Sequence, residues 1–443
     1  MNTSTLLTNT NNSRALYRTI WRWHFYAGIF SIPFVILLSI TGAIYLFKPY
    51  YESWQENQFH NLPVSGDRLS ANEQIQAAID SIPNGKFLSY RLPQNPDEAV
   101  LVNVQAESNW QVFVNPYTGG VVGKQESGWQ LMNIVKTIHG ELLLGTTGSI
   151  LVELAACWAI VLIVTGLYLW WPRNASGMAG IIYPRLREGK RIFWRDLHAV
   201  TGIWISTLAL FLLITGLPWA LVWGAALKEV RAFEIAPVQQ DWTQSRAQEH
   251  QHWRAQASDS FDLTPDILSR AETLQLAAPV ELSIANSHHN SWKASSQSQN
   301  RPQRADVWIS SNGSIEKQSG FAEKKLIDKA IGVGIAAHEG YLFGWFNLVL
   351  GVLTCAGLIL ISVSGFVLWR RRKPDGVLGA PPAMPASSGI AVIVITFALA
   401  IFLPLMAISL VALLLCEFLL LRRINTIGHW LGLKNYTGKP SDS

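Results

Sequence analysis

Four long apolar stretches decide what this chain is able to fold into: Phe25–Phe47, Ile150–Trp171, Ile203–Leu227 and Leu348–Trp369. Each exceeds the ~20 residues with which a helix crosses a hydrocarbon core of about 30 Å. A fifth, Ile390–Leu421, is interrupted by Pro404. Only 15% of the residues are charged, against about 25% in soluble domains, which excludes a soluble enzyme. The expected architecture is a membrane-embedded α-helical bundle. Its spans, with their lead-ins, are placed at 23–47, 138–171, 196–227 and 330–369, followed by a hairpin or kinked helix at 389–421.

Charge distribution sets the expected topology. Of the 35 Lys and Arg residues, 13 fall in three short segments. These are Arg14, Arg18 and Arg22; Arg173, Arg185, Arg187, Lys190, Arg191 and Arg195; and Arg370 to Lys373. The long intervals 48–137 and 228–329 together carry 18 basic and 22 acidic residues. Short basic segments stay in the cytoplasm, so both long intervals are expected to face outward. The pI of about 9.0 then reports topology, and no nucleic-acid partner is expected. Phe25–Phe47 is longer than a signal-peptide core and is followed by no A-x-A-type site, so it reads as a retained helix. Cys157, Cys355 and Cys416 all lie in apolar spans without a CxxCH, as small buried residues rather than covalent haem attachments.

An internal repeat organises the chain. The first span reads His24-x3-Gly28-x12-Thr41-Gly42 and the third His198-x3-Gly202-x12-Thr215-Gly216. The second reads His139-x5-Gly145-x19-Thr165-Gly166-x3-Trp170 and the fourth His338-x5-Gly344-x19-Ser364-Gly365-x3-Trp369. Both pairs match without a gap, so the expected fold is two tandem repeats of helix, outer domain, helix. Each long interval reads as a small α+β module. The first has a helix at 71–82, strands at 87–92, 99–104 and 110–114, and the turn Asn115-Pro116-Tyr117-Thr118-Gly119-Gly120 leading to Val121-Val122. The second has a helix near 265–274, strands near 280–284 and 306–310, a Ser311-Asn312-Gly313 turn, and a polar mobile loop over 287–304.

On this topology His24 and His198 share one depth near the cytoplasmic face, and His139 and His338 share another near the periplasmic face. Two histidines at one depth on different helices present the bis-imidazole geometry of a b-type haem. Two haems are therefore expected, one held by His24 with His198 and one by His139 with His338. Glycines four residues past His24 and His198 leave a flat macrocycle room at the backbone. Glu153, inside the second span, is either a paired carboxylate or part of a proton path. Glu141 and Glu339 lie beside proposed ligands, as groups that tune imidazole basicity or as ordinary helix-end polar residues. Trp129, Tyr341 and Trp345 are placed near the outer couple, where a bulky ligand would stack if they are not part of an aromatic belt. His288 and His289 read as a solvated loop pair, and His60, His250, His252 and His429 as surface residues.

The His24 span with its Thr41-Gly42 ending, the Val112-to-Gly120 strand and turn, His139-Gly140 and Thr165-to-Trp171 resemble the PepSY-associated transmembrane family. Within it the chain is most similar to inner-membrane ferric-siderophore reductases of Gram-negative bacteria. The resemblance covers residues 15–372 and extends to the Pro404 region; the second module lacks the Pro-x-Thr-Gly turn at 310–313. It implies one-electron reduction of Fe(III) in a periplasmic siderophore, whose hard oxygen ligands hold Fe(III) better than Fe(II). No nucleotide-binding G-x-G-x-x-G unit is visible, so the electron donor is expected to be external, a quinol or a cytoplasmic reductase. A permease for an iron complex and a non-catalytic PepSY-type sensor are the alternatives.

Overall fold

A computed structural model describes residues 3–173, 177–232, 257–286, 291–381 and 390–433. The chain divides into a helical unit (residues 1–42, 138–237 and 352–443) and a sheet unit (43–137 and 238–351). The chain is a membrane protein, and among the described residues five helical stretches are long and apolar enough to span a bilayer: Arg14–Tyr45, Gly145–Trp170, Lys190–Trp219, Trp345–Arg372 and Pro404–Leu421. In hydrocarbon a backbone must satisfy its own hydrogen bonds, which an unbroken helix does.

The helices are α1 (Thr3–Tyr45), α2 (Lys48–Glu56), α3 (Ala71–Asp80), α4 (Leu131–Glu141), α5 (Gly145–Trp170), α6 (Lys190–Gly216) and α7 (Leu221–Ala232), then α8 (Pro265–Thr273), α9 (Leu326–His338) and α10 (Trp345–Arg372). The last three are α11 (Ile390–Phe402), α12 (Pro404–Cys416) and α13 (Asn425–Trp430). Within the apolar spans the threonines are accommodated by bonding backwards. Thr41 Oγ1 donates to Leu37 O, Thr165 Oγ1 to Val161 O and Thr215 Oγ1 to Phe211 O, so these three hydroxyl protons are paired within their own helices.

The C-terminal apolar stretch runs out and back. Leu403 (φ −121°, ψ 80°) breaks the helix before Pro404, whose ring is tolerated only in a first turn. At the tip, Phe402 O accepts from Trp223 Nε1 at 2.9 Å. Both feet meet at α1: Arg22 donates to Pro381 O at 2.7 Å and to Gly432 O at 2.9 Å. Tyr26 O–H donates to Leu431 O, and Leu378 N–H to Trp430 O. Leu403 and Met406 pack with Cys157, Ile160, Val161 and Leu217 in a buried apolar cluster.

In the sheet unit, β1 (Lys86–Arg91), β2 (Val100–Gln105), β3 (Asn109–Val114) and β4 (Val121–Glu126) form one antiparallel meander. A second comprises β5 (Val280–Asn286), β6 (Ser291–Ser296), β7 (Ala305–Ile309) and β8 (Ile315–Gly320). The two do not form separate modules. β1 pairs antiparallel with β5, with Tyr90 opposite Leu282 and Arg91 opposite Glu281, giving one eight-stranded sheet of order β4-β3-β2-β1-β5-β6-β7-β8. Ile75 and Ala78 of α3 and Ile267 and Ala271 of α8 close a common core over Phe87, Tyr90, Val102, Leu282, Trp292 and Val307. The expected 71–82 helix is α3. Its start is a capping box in which Ser70 Oγ accepts from Glu73 N–H while Glu73 accepts from Ser70 N–H. Asn115 Oδ1 accepts from the Tyr117 and Thr118 N–H groups, and Gly119 (φ 71°) completes the expected turn.

One expectation fails. The interval 287–304, read as a mobile loop, contains β6, whose Trp292 and Ala294 are fully buried. Serines hide the alternation. They suit a solvated loop in composition, yet their small side chains also fit a pleat when neighbouring strands supply the backbone partners. β8 was likewise unanticipated, because a polar edge strand lacks an apolar face.

Candidate functional site

α1 and α6 bring His24 and His198 together, with ring centroids 6.3 Å apart and ring planes at 83°. Each imidazole is clasped from behind by another span. His24 Nδ1 lies 2.9 Å from Thr165 Oγ1 on α5. That hydroxyl already donates its single proton to Val161 O at 2.7 Å, so toward histidine it accepts, and Nδ1 of His24 is the donor. His198 Nδ1 lies 3.0 Å from Ile361 O, a pure acceptor, and 3.3 Å from Ser364 Oγ on α10. Both rings are therefore Nδ1-protonated, leaving the Nε2 lone pairs unused.

The following glycine makes room for the ring. A Cβ at Gly166 would stand 3.2 Å from His24 Cε1, and one at Gly365 the same distance from His198 Cε1. His139 repeats the arrangement. Its Nδ1 lies 3.0 Å from Thr41 Oγ1, which donates to Leu37 O, and a Cβ at Gly42 would lie 3.2 Å from its Cε1. The first half of the chain thus swaps partners: the histidine of α1 seats on the Thr-Gly of α5, and His139 of α4 on the Thr-Gly of α1. Thr41 stands 17 residues from His24, about 25 Å along the helix. His338 ends α9 in the sheet unit and is half-buried there.

The His24–His198 geometry fits an iron between the rings. Two imidazole nitrogens bound from opposite sides at about 2 Å stand about 4 Å apart, and adding roughly 1.1 Å per ring places the centroids about 6 Å apart. The observed spacing is 6.3 Å. A Cβ at Gly202 would meet nothing within 4 Å, and one at Gly28 only Leu162 Cδ2 at 3.8 Å. Open space therefore lies beside the backbone one turn past each histidine, as a flat macrocycle needs.

The other sequence candidates sort differently. Glu153, 2% exposed, caps α7: its carboxylate oxygens accept from Val222 N–H at 2.8 Å and Trp223 N–H at 2.9 Å. A helix N-terminus is a natural partner for a buried carboxylate, and this favours the paired reading over a proton path. Glu141 supplies a backbone carbonyl that Gly148 of α5 approaches so closely that a Cβ would overlap it; the hydroxyl at His139 Nδ1 is Thr41's. Glu339 Oε1 is 4.0 Å from Arg301 Nη2. Tyr341 O–H donates to Leu46 O at 2.6 Å, and burial pushes its hydroxyl above the usual phenol range. Trp345 is 73% exposed. The side chain of Trp129, and residues His250, His252, His288 and His289, lie outside the described set.

What sequence reading missed is the work of the Thr-Gly pairs. Their fixed spacing marks the repeat, but nothing local in a sequence says that a threonine on one span holds a histidine on another. No curated protein matches this chain. Its residues 21–372 match the family described as PepSY-associated TM region, and with most of its length covered, the chain belongs to that family.

Proposed function

We propose that the protein is a di-haem oxidoreductase of a bacterial inner membrane that delivers single electrons to ferric iron held in a siderophore on the periplasmic side. The carrying observation is the His24–His198 couple: two rings at iron-bridging separation, with both Nδ1 atoms engaged and both Nε2 atoms spare. When bound, b-type haem supplies reversible one-electron chemistry. In this chain His24 and His198 would hold the iron through their Nε2 atoms, while Thr165, Ile361 and Ser364 fix tautomer and ring orientation. The second couple, His139 with His338, is proposed on the sequence repeat alone, in which each half supplies one histidine of the couple. Basic segments at the His24 end favour a cytoplasmic location for that end. A quinol or a cytoplasmic reductase is the proposed donor.

Purified protein tests this directly. We expect a Soret band with α and β bands that sharpen on dithionite reduction, and two haems per chain by extraction. His24→Ala and His198→Ala should each remove the same one of the two. Ferrous-iron trapping with several ferric siderophores should then show turnover in the loaded protein only. A colourless preparation refutes the reading, and loaded protein that reduces no ferric complex refutes the substrate.

A further inference from the structure

The basic connection between α5 and α6 also exposes large apolar side chains. Met178, Ile182, Tyr183 and Leu186 are all exposed, and two indoles hold their segment. Trp170 Nε1 donates to Ile181 O at 3.1 Å, and Trp204 Nε1 donates to Ile182 O at 2.9 Å. Trp204 lies six residues beyond His198 on α6, about 9 Å further into the span, and is 64% exposed. It begins a stripe of exposed residues, Trp204, Thr207, Phe211 and Ile214, at the spacing of one helix face. On a spanning helix that stripe faces lipid. A carbonyl bonded to this indole therefore sits against the lipid-facing flank of α6, between the levels of His198 and Trp204.

The segment is built for such a place. Gly180 N–H bonds to Tyr183 O, Ile182 N–H to Met178 O and Arg185 N–H to Asp196 Oδ2, so with the two indoles the turn over Met178 to Tyr183 closes several of its polar groups on the protein itself. Its far end is anchored by fully buried Asp196, which accepts from Arg185 Nε at 2.8 Å and Arg195 Nη2 at 2.6 Å. The second half of the chain offers a comparison. There Trp369 Nε1 donates to Leu378 O, but Leu378 is 7% exposed beneath the C-terminal segment, whereas Ile182 is 37% exposed. Protein covers one loop, and the lipid-facing stripe continues into the other.

We propose that residues 177–186 form a re-entrant wedge in the lipid leaflet at the His24/His198 end of the bundle, with the bilayer as their partner. The exposed cations Arg187, Lys190 and Arg191 follow the wedge and meet phosphate headgroups. The inference needs only the spans and stands apart from the haem reading.

The full chain in lipid nanodiscs tests it, with the unsubstituted chain giving the background from the native cysteines. Met178→Cys and Ile182→Cys should react with a charged, membrane-impermeant methanethiosulfonate at least tenfold more slowly than Arg187→Cys. A bimane label on either should be quenched by doxyl-labelled lipid as strongly as one on Phe211→Cys. Adding Trp204→Phe to Ile182→Cys should raise its reactivity several-fold. Reactivity equal to that of Arg187→Cys without lipid quenching would overturn the proposal and mark a water-facing surface for a soluble partner. An unchanged rate with Trp204→Phe would overturn the indole anchor. If Ile182→Cys is not recovered folded, Tyr183→Cys carries the same comparison.

Discussion

Replacing Thr165 with Val tests whether the Thr-Gly pairs are imidazole clasps. Valine keeps the branched shape and removes the oxygen that accepts from His24 Nδ1–H at 2.9 Å. Stranding a buried donor costs about 1–3 kcal/mol. Removing the outer hydrogen-bond partner of a metal-bound histidine ordinarily weakens metal binding about 10–100-fold, or about 1.4–2.7 kcal/mol. The two routes agree, so Thr165→Val should raise the dissociation constant of one haem by one to two decades. Thr165→Ser, which restores the acceptor, should stay within a few-fold of the parent. The Thr41–His139 clasp lies about 25 Å away along α1, far enough for independence, so the other haem should be unaffected. Haem transfer to an excess of apomyoglobin measures both populations. Two haems leaving Thr165→Val at parental rates, or Thr165→Ser behaving like Thr165→Val, would refute the clasp.

Glu153→Ala removes the acceptor for two N–H groups at the start of α7 and should cost about 2–4 kcal/mol, with Glu153→Gln losing less; thermal unfolding in detergent measures both, and parental stability for Glu153→Ala would contradict the cap. The Ser70 hydroxyl and backbone N–H hold the Glu73 carboxyl below its ordinary value of 4.5. A depressed folded value means that its contribution is complete above the ordinary value and is lost as pH falls through the depressed one. The stability gap between parent and Glu73→Ala should therefore be flat from neutral pH down to about 5 and narrow below about 4; a gap that widens on acidification would reverse the assignment. Leu282 is fully buried at the β1–β5 seam, so Leu282→Ala should cost about 2–5 kcal/mol. Because both meanders share one core, protease sites in each should open together; a first meander that stays protected would show that the halves fold separately.

Local pattern made much of this legible. Spans show themselves through length and apolarity, the Asn115 turn through side-chain chemistry, and the candidate ligands through a gapless repeat. The failures share a cause. β6 is a strand because β5 and β7 flank it, and serine composition carries no trace of those neighbours. The partner of Glu153 is likewise invisible in the sequence, being two backbone N–H groups 69 and 70 residues further along the chain. Polarity says that a buried carboxylate needs a partner; only folding says which.

The amino-acid order by itself determined a polytopic membrane chain, its duplicated histidine and Thr-Gly spacings, and the helix and turns of the first half of the sheet unit, since these follow from hydrophobicity and from contacts a few residues apart. Tertiary structure alone decided that the meanders join edge to edge, that the C-terminal stretch returns to Arg22, and that Thr165-Gly166, Thr41-Gly42 and Ser364-Gly365 each seat a ring from another helix. Hydrogen bonds between distant segments depend on where helices and strands pack, and packing is a property of the assembled chain.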